Sequence, residues 1–267
     1  FDEVDFISAH AYYELEGDDL ASFLASGVDM DRFINTVVAA ADEVAAARGS
    51  DKRIAISFDE WNVWYISHDW APCTEDWPVA PPLLQDVYSV ADAVVVGDLL
   101  ITLLRHADRV KAASLAQLVN VIAPIMTEPG GRAWRQTTFY PFALTAQLAG
   151  TTVLDSVVDV PTHNTVKHGD APLVNAVATW DEAGSVTVFA TNSDPAAEHA
   201  LTFDVGALGV PGDVNVTILT DADPLAVNTA EAPDRVVPAS SQALVEGGAV
   251  TVPLPPVSWA AVQVTLA

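Results

Sequence analysis

The chain has 267 residues, of which 51% are hydrophobic, and this is enough for a substantial buried core. Its formal net charge of −25 repels phosphate backbones and anionic lipid surfaces, which argues against nucleic acid and membranes as partners. The single cysteine, Cys73, excludes an internal disulfide framework and a multi-cysteine metal site.

Strand-like and helix-like patterns alternate from the first residues onward. The first predicted strand is VDFISAHAYY, residues 4–13, and a helix follows from Asp29 or Asp31 to just before Gly49. The second predicted strand is RIAISFDEW, residues 53–61. A connection rich in proline and tryptophan leads from it to a helix predicted over residues 82–106.

The third predicted strand is VKAASLAQLV, residues 110–119. A loop over residues 123–131 and a helix over residues 133–148 follow it. Three strand-then-helix units predict a parallel sheet with helices packed outside it. Because a closed (β/α)8 TIM barrel needs eight such units, residues 1–150 are predicted to be the C-terminal part of a larger barrel.

The pattern changes near Gly150. Short β-branched runs separated by Pro, Gly, Asp and Asn replace the helical periodicity, which predicts an all-β sandwich over residues 151–267. The runs cover residues 151–160, 172–180, 185–192, 200–205, 214–220, 249–256 and 258–266. The predicted fold class is therefore α/β plus all-β, a partial barrel followed by a β-sandwich.

Polar side chains gather where the predicted parallel strands end, which is where α/β proteins place their reactive groups. His10 and Tyr12 end the first strand on one face, because side chains alternate with period 2. Asp59 and Glu60 end the second strand, and the same alternation points them to opposite faces unless the backbone bulges. Gln117 and Asn120 end the third strand.

These residue types fit glycoside hydrolysis. A carboxylate such as Glu60 can attack an anomeric carbon, the Tyr12 hydroxyl can orient it, and the Gln117 amide can bind sugar hydroxyls. Each has a structural alternative: an ion-paired acid at a helix start for Glu60, a barrel-interior histidine for His10, and strand-end caps for Tyr12 and Gln117. The tryptophans of the same segment can contact sugar or pack on their own barrel: Trp61, Trp64, Trp70 and Trp77.

The sequence gives no support for a cofactor or a metal. Neither a GxGxxG nor a GxxxxGK[ST] motif is present. His163 and His168 lie in a loop-like stretch without a second ligand pair, which is typical of incidental surface histidines. Cys73 is interpreted as an inert loop residue, since no histidine partner is evident for it.

Three stretches, FISAHAYY, ISFDEWNVWY and LAQLVNVIAPI, together resemble the bacterial α-L-arabinofuranosidases of glycoside hydrolase family 51. The resemblance covers residues 1–145 closely and the β-rich part in a general way. It implies a retaining enzyme that releases arabinofuranosyl units from arabinan, arabinoxylan or arabino-oligosaccharides. It also implies a homo-oligomer and favours a cytoplasmic location, which this N-terminus does not itself indicate.

The resemblance assigns roles to individual residues. It implies that Glu60 is the nucleophile, that Tyr12 hydrogen-bonds it and that His10 supports the site. Gln117 is expected to contact the bound sugar, and Trp64 falls beside the site. Asp59 becomes the structural neighbour of Glu60.

One expected group is missing from the sequence. The family places its general acid/base in an Asn-Glu pair at the end of the fourth barrel strand, and no such pair precedes Phe1. The expectation is that the acid/base lies in a segment absent from this chain, whose partner is the N-terminal part of the barrel. Two alternatives stay open: another retaining barrel glycosidase, such as a xylosidase or endoglucanase, and a non-catalytic carbohydrate-binding or assembly fragment.

Overall fold

The computed structural model describes residues 1–66, 79 and 81–267, so that Trp70, Cys73 and Trp77 lie outside the described residues. The helices are α1 (Leu20–Leu24), α2 (Ser26–Ala47), α3 (Val90–Arg105) and α4 (Phe139–Leu148). The first strands are β1 (Phe6–Tyr13), β2 (Ala55–Val63), β3 (Val110–Leu115), β4 (Ile125–Thr127) and β5 (Ala133–Arg135). The later strands are β6 (Thr152–Leu154), β7 (Thr162–Thr165), β8 (Gly169–Pro172), β9 (Val174–Asp181), β10 (Ser185–Asn192), β11 (His199–Asp204), β12 (Pro211–Leu219), β13 (Ala239–Ser241), β14 (Leu244–Glu246), β15 (Ala249–Leu254) and β16 (Ser258–Leu266).

Strands β1, β2 and β3 form a parallel sheet in that order, here called the barrel sheet. Helix α2 follows β1 and helix α3 follows β2, as the alternating patterns predict. Helix α2 ends at Ala47 because Gly49 adopts a positive φ of 61°, a backbone conformation that glycine reaches without steric cost. The parallel arrangement aligns the carboxyl ends of the three strands at one edge of the sheet.

Several element boundaries differ from the predicted ones. Helix α3 begins at Val90, because Ser89 forms a capping box in which its hydroxyl accepts from the Asp92 N–H and Asp92 accepts from the Ser89 N–H. Strand β3 ends at Leu115, and the residues after it form a loop. Helix α4 begins at Phe139, since the residues before it pair as β5 with β4. Helix α1, which the sequence patterns did not predict, is capped by Asp19.

Most strands after Gly150 build two antiparallel sheets that face each other, and β7 and β8 pair as a separate two-stranded sheet. The larger, here called the main sandwich sheet, has the order β13-β12-β16-β10-β9-β6, and the smaller has the order β11-β15-β14. Alternate residues of β10, Val186, Val188 and Ala190, pack between the two sheets. The predicted β-sandwich is therefore present in the described residues, with the runs at 185–192 and 258–266 matching β10 and β16.

The other face of the main sandwich sheet packs on α3. Phe189 and Trp259 from this face share one core with Val94, Leu99 and the barrel sheet. Contact is so close that a methyl group on Gly97 would lie 2.1 Å from the Trp259 ring. A shared core of this kind fixes the sandwich against the barrel sheet. No helix of the described residues is long and apolar enough to span a membrane.

Candidate active site

The residues Ser8, His10 and Tyr12 lie along one face of β1, as period 2 predicts. The Ser8 hydroxyl lies 3.2 Å from His10 Nε2, which places these two side chains side by side. Tyr12 lies one strand period further toward the carboxyl end of the sheet. This face carries the polar groups of β1 and leaves Ser8 and His10 exposed.

Asp59 and Glu60 were predicted to point to opposite faces of β2. This prediction is wrong, because β2 has a bulge between Ser57 and Glu60. Ser8 pairs with Ser57, but His10 pairs with Glu60, so β2 carries one residue more than β1 over this interval. Both carboxylates consequently reach the same imidazole. Asp59 Oδ1 lies 3.7 Å from His10 Nε2, and Glu60 Oε2 lies 3.6 Å from His10 Nδ1.

The Tyr12 hydroxyl donates a hydrogen bond of 2.7 Å to Glu60 Oε2. Burial, then the hydrogen bond with Glu60 and its negative charge, raise the pKa of the Tyr12 phenol well above its usual range. The phenol therefore stays protonated at neutral pH and remains a donor. A carboxylate held by one donor on one oxygen keeps a defined orientation while its second oxygen stays available.

Asp59 is held by a different partner. Its Oδ1 accepts a 2.8 Å hydrogen bond from the Ser8 hydroxyl, and this bond is the main cause that lowers the pKa of the Asp59 carboxyl. Asp59 is therefore ionised at neutral pH. An ionised carboxylate has no proton to give, which makes Asp59 unsuited to protonate a leaving group.

The two described tryptophans of the segment have different surroundings. Trp64 packs edge-to-face on Tyr12, with ring centroids 5.1 Å apart, so it lies beside the Tyr12–Glu60 pair. Trp61 is fully buried and stacks on Phe142 at 6.3 Å. Of the two interpretations for these tryptophans, Trp61 follows the packing one, and a sugar-contacting role for it is wrong.

Gln117 follows β3 in a loop, and its side chain is exposed at the carboxyl end of the barrel sheet. The strand ladder reaches this point, since the Ala116 N–H donates to the Trp61 carbonyl over 3.1 Å. Asn120 has a structural role, because its carboxamide donates to Thr127 Oγ1 and accepts from the Thr127 N–H. The loop is thereby fastened to β4.

Two polar residues of the site were assigned no role from the sequence. Ser8 is the partner of Asp59, and its place on the His10 face was the available signal. Asn62 lies inside the DEWNVW stretch but is 1% exposed, and its amide bonds to the loop that carries Gln117. Nothing in the strand pattern could have indicated that loop partner.

No group of three or more His, Cys, Asp or Glu side chains in the described part of the chain is arranged to hold a metal ion. Within the same residues, two carboxylates, an imidazole and a phenol lie together at the carboxyl end of the barrel sheet, and the exposed Gln117 follows β3 there.

Comparison with known proteins assigns the chain to a family. A family model described as the α-L-arabinofuranosidase C-terminal domain matches residues 59–258. A solved structure of a family 51 α-L-arabinofuranosidase from Bifidobacterium longum superposes with a TM-score of 0.90 and 46% identity over 98% of this chain and 53% of that chain. The chain belongs to glycoside hydrolase family 51. The resemblance inferred from the sequence is thereby confirmed.

Curated relatives agree with this assignment. The family 51 chain is 53% identical to an exo-α-(1→6)-L-arabinofuranosidase of Bifidobacterium longum over 99% of its own length and 53% of the relative's. It is 52% identical to an intracellular exo-α-(1→5)-L-arabinofuranosidase of Streptomyces lividans over 98% of its own length and 40% of the relative's. The chain therefore spans about half the length, or less, of these relatives.

A solved structure of the α-L-arabinofuranosidase from Thermotoga maritima, an arabinose complex, superposes on the family 51 chain with a TM-score of 0.79 at 25% identity. It covers 98% of this chain and 53% of the other. The predicted fold class, a partial barrel followed by a β-sandwich, is confirmed by these likenesses together with the sheets described above.

Proposed function

We propose that the protein carrying this chain is a retaining exo-acting α-L-arabinofuranosidase and that Glu60 is its nucleophile. The single observation that carries the proposal is the 2.7 Å hydrogen bond from Tyr12 to Glu60 at the carboxyl end of the barrel sheet. That bond fixes a carboxylate at the place where barrel enzymes carry out their chemistry. Family membership supplies the reaction class.

In the proposed reaction, a Glu60 carboxylate oxygen forms a bond to the anomeric carbon while the glycosidic carbon–oxygen bond breaks. The leaving oxygen takes a proton from a general acid. Water then attacks the anomeric carbon, gives its proton to the same group and releases Glu60. Tyr12 holds Glu60 in the attacking orientation, His10 supports it from the side, and Gln117 and Trp64 contact the sugar.

We propose that the general acid is neither Asp59 nor His10. Retaining hydrolysis needs an acid that keeps its proton at the working pH, and the pKa of Asp59 is lowered by its bond from Ser8. His10 lies against both carboxylates on the nucleophile's own strand pair. The family relatives are about twice as long as this chain, which supports an acid supplied by the part of the barrel that the chain does not include.

The proposed substrates are arabinofuranosyl-containing saccharides cleaved from the non-reducing end. Support comes from the relatives named exo-α-(1→6)- and exo-α-(1→5)-L-arabinofuranosidase. Because several of those relatives are named intracellular, we extend the same location to this protein. A homo-oligomer stays a prediction, which light scattering of the purified protein would check.

The test is the substitution Glu60→Ala in the full-length protein that carries this chain, assayed on an aryl α-L-arabinofuranoside. Turnover is expected to fall at least about a thousandfold, because the variant lacks the carboxylate that forms the covalent intermediate. Added azide should restore part of the rate by taking the vacated position, and the product should be the β-configured arabinofuranosyl azide. Glu198→Ala, which removes an exposed glutamate of the sandwich, is the matched control and should keep full activity. Unchanged turnover in Glu60→Ala would remove Glu60 from the nucleophile role.

A further inference from the structure

Asn62 is a buried amide on the nucleophile's own strand, and it makes three short hydrogen bonds. Its Nδ2 donates to the Ala116 carbonyl and to the Ile122 carbonyl, each over 2.6 Å. Its Oδ1 accepts from the Val63 N–H over 2.8 Å. The acceptor bond fixes the orientation of the carboxamide, because only the nitrogen can then face the two carbonyl oxygens.

The two carbonyls that Asn62 holds lie on either side of Gln117 in the chain. The Gln117 backbone N–H itself donates to the Ile122 carbonyl over 3.2 Å. One oxygen therefore receives both the Asn62 amide and the Gln117 N–H, which uses its two lone pairs. Through this shared acceptor, the position of Gln117 depends directly on the Asn62 side chain.

The loop around Gln117 does not hold its shape by local preference. Asn120 has a φ of 64° and Ile122 a φ of 38°, both in the left-handed region. For a β-branched residue such as Ile122 this region is sterically unfavourable, and such conformations persist only where surrounding contacts enforce them. The buried amide of Asn62 is one of those contacts, and it acts on the carbonyl of Ile122 itself.

We propose that Asn62 is a positioning residue of the glycosidase site: it fixes the Gln117 loop relative to Glu60, so that nucleophile and sugar-binding amide keep one spacing. The inference rests on the proposed function for the role of Gln117. Strand β2 carries both the nucleophile and the residue that holds the loop, since Glu60 and Asn62 lie two residues apart on it. A shift of the loop therefore changes the Gln117 position and leaves the nucleophile in place.

Asn62→Asp is the informative substitution, because it keeps the shape and removes both donors. The new carboxylate oxygen would face the Ala116 and Ile122 carbonyls, and the loop would move away from it. If Asn62 acts through Gln117, kcat/KM on an aryl arabinofuranoside should fall by about tenfold in Asn62→Asp and by a similar factor in Gln117→Ala. Asn62→Ser, which retains one donor, should show a smaller loss.

A double-mutant cycle separates positioning from a general effect on the fold. In the full-length protein that carries this chain, kcat/KM of the double variant Asn62→Asp, Gln117→Ala should be no more than about twofold lower than that of Gln117→Ala alone. Independent effects would multiply to roughly a hundredfold loss, and that result would overturn the inference. A wild-type protein without arabinofuranosidase activity would contradict the proposed function instead, so the two failures are distinguishable.

Hydrogen exchange gives a readout that does not depend on turnover. Asn62→Asp should speed amide exchange in the segment 116–122 and leave the main sandwich sheet unchanged. The matched control is Asn192→Asp, since the Asn192 amide likewise donates to buried carbonyls, those of Leu254 and Pro255, in the sandwich. Asn192→Asp should lower the melting temperature about as much as Asn62→Asp does, without changing kcat/KM per folded molecule. Unchanged exchange at 116–122 in Asn62→Asp, or an equal kinetic loss in Asn192→Asp, would overturn the inference.

Discussion

Strands of the barrel sheet and of the main sandwich sheet differ in how much of their surface is buried within the described residues. Strand β10 of the main sandwich sheet is buried on both faces from Val186 to Asn192, between the smaller sheet and α3. Strand β3 of the barrel sheet exposes each residue from Lys111 to Ser114. The candidate catalytic groups all lie on or directly after the strands of the more open sheet. Within the described residues, the main sandwich sheet is packed on both faces, whereas the barrel sheet carries the candidate catalytic groups.

The largest expected effect is on stability in the main sandwich sheet. Phe189 is 0% exposed and stacks on Trp259, so Phe189→Ala should lower the free energy of unfolding by about 3–5 kcal/mol. Urea unfolding of the variant and of the wild type measures the loss. A loss below about 1 kcal/mol would contradict a stabilising role for this aromatic contact.

A substitution at the candidate site should lower activity strongly and stability only slightly. Tyr12→Phe removes the hydroxyl that orients Glu60 and should lower kcat/KM by about tenfold to a hundredfold, the loss expected for a hydrogen bond to a charged group. The free energy of unfolding should change by less than about 1 kcal/mol, since the ring and its contact with Trp64 remain. Steady-state kinetics and urea unfolding of the same preparation measure both. A variant that unfolds more easily but works normally would contradict the assignment of Tyr12.

The smallest expected effect lies where the two regions meet. Asp98 of α3 is buried and accepts from the Gly27 N–H and the Asn175 amide, and burial raises the pKa of its carboxyl despite these bonds. Because the folded pKa lies above the unfolded value, the stabilising contribution of the protonated form is complete below the unfolded pKa. It is lost as the pH rises through the folded pKa.

The neutral, isosteric variant Asp98→Asn lacks that titration. As the pH falls from about 7 toward about 4, the wild type should therefore gain stability relative to Asp98→Asn, which unfolding free energies at several pH values would reveal. A difference that stays constant with pH would show that Asp98 has the same pKa folded and unfolded.

Strand and helix patterns predicted the parallel barrel sheet and the sandwich because both depend on local periodicity. The predicted strand ends are less accurate, since β2 continues to Val63 and β3 stops at Leu115, before Gln117. The orientation of Asp59 was not predicted, since the bulge in β2 arises from pairing with β1 and β3, which a single strand's pattern does not contain. The predicted start of α3, residue 82, is too early, because apolar residues continue on the N-terminal side of the Ser89 cap.

The partners of Asn62 and Asp98 likewise lie far away in sequence, in loops and strands that only the folded chain brings together. The domain boundary near Gly150 stays a prediction, since α3 and the main sandwich sheet share one core.

We propose that Glu60, and not its neighbour Asp59, forms the covalent bond to the sugar. The most direct measurement is to trap the intermediate with a 2-deoxy-2-fluoro-arabinofuranoside that carries a good leaving group, digest the protein and locate the modified peptide by mass spectrometry. We expect one fluoroarabinosyl group, attached to Glu60. A sugar attached to Asp59, or to any other residue, would contradict it.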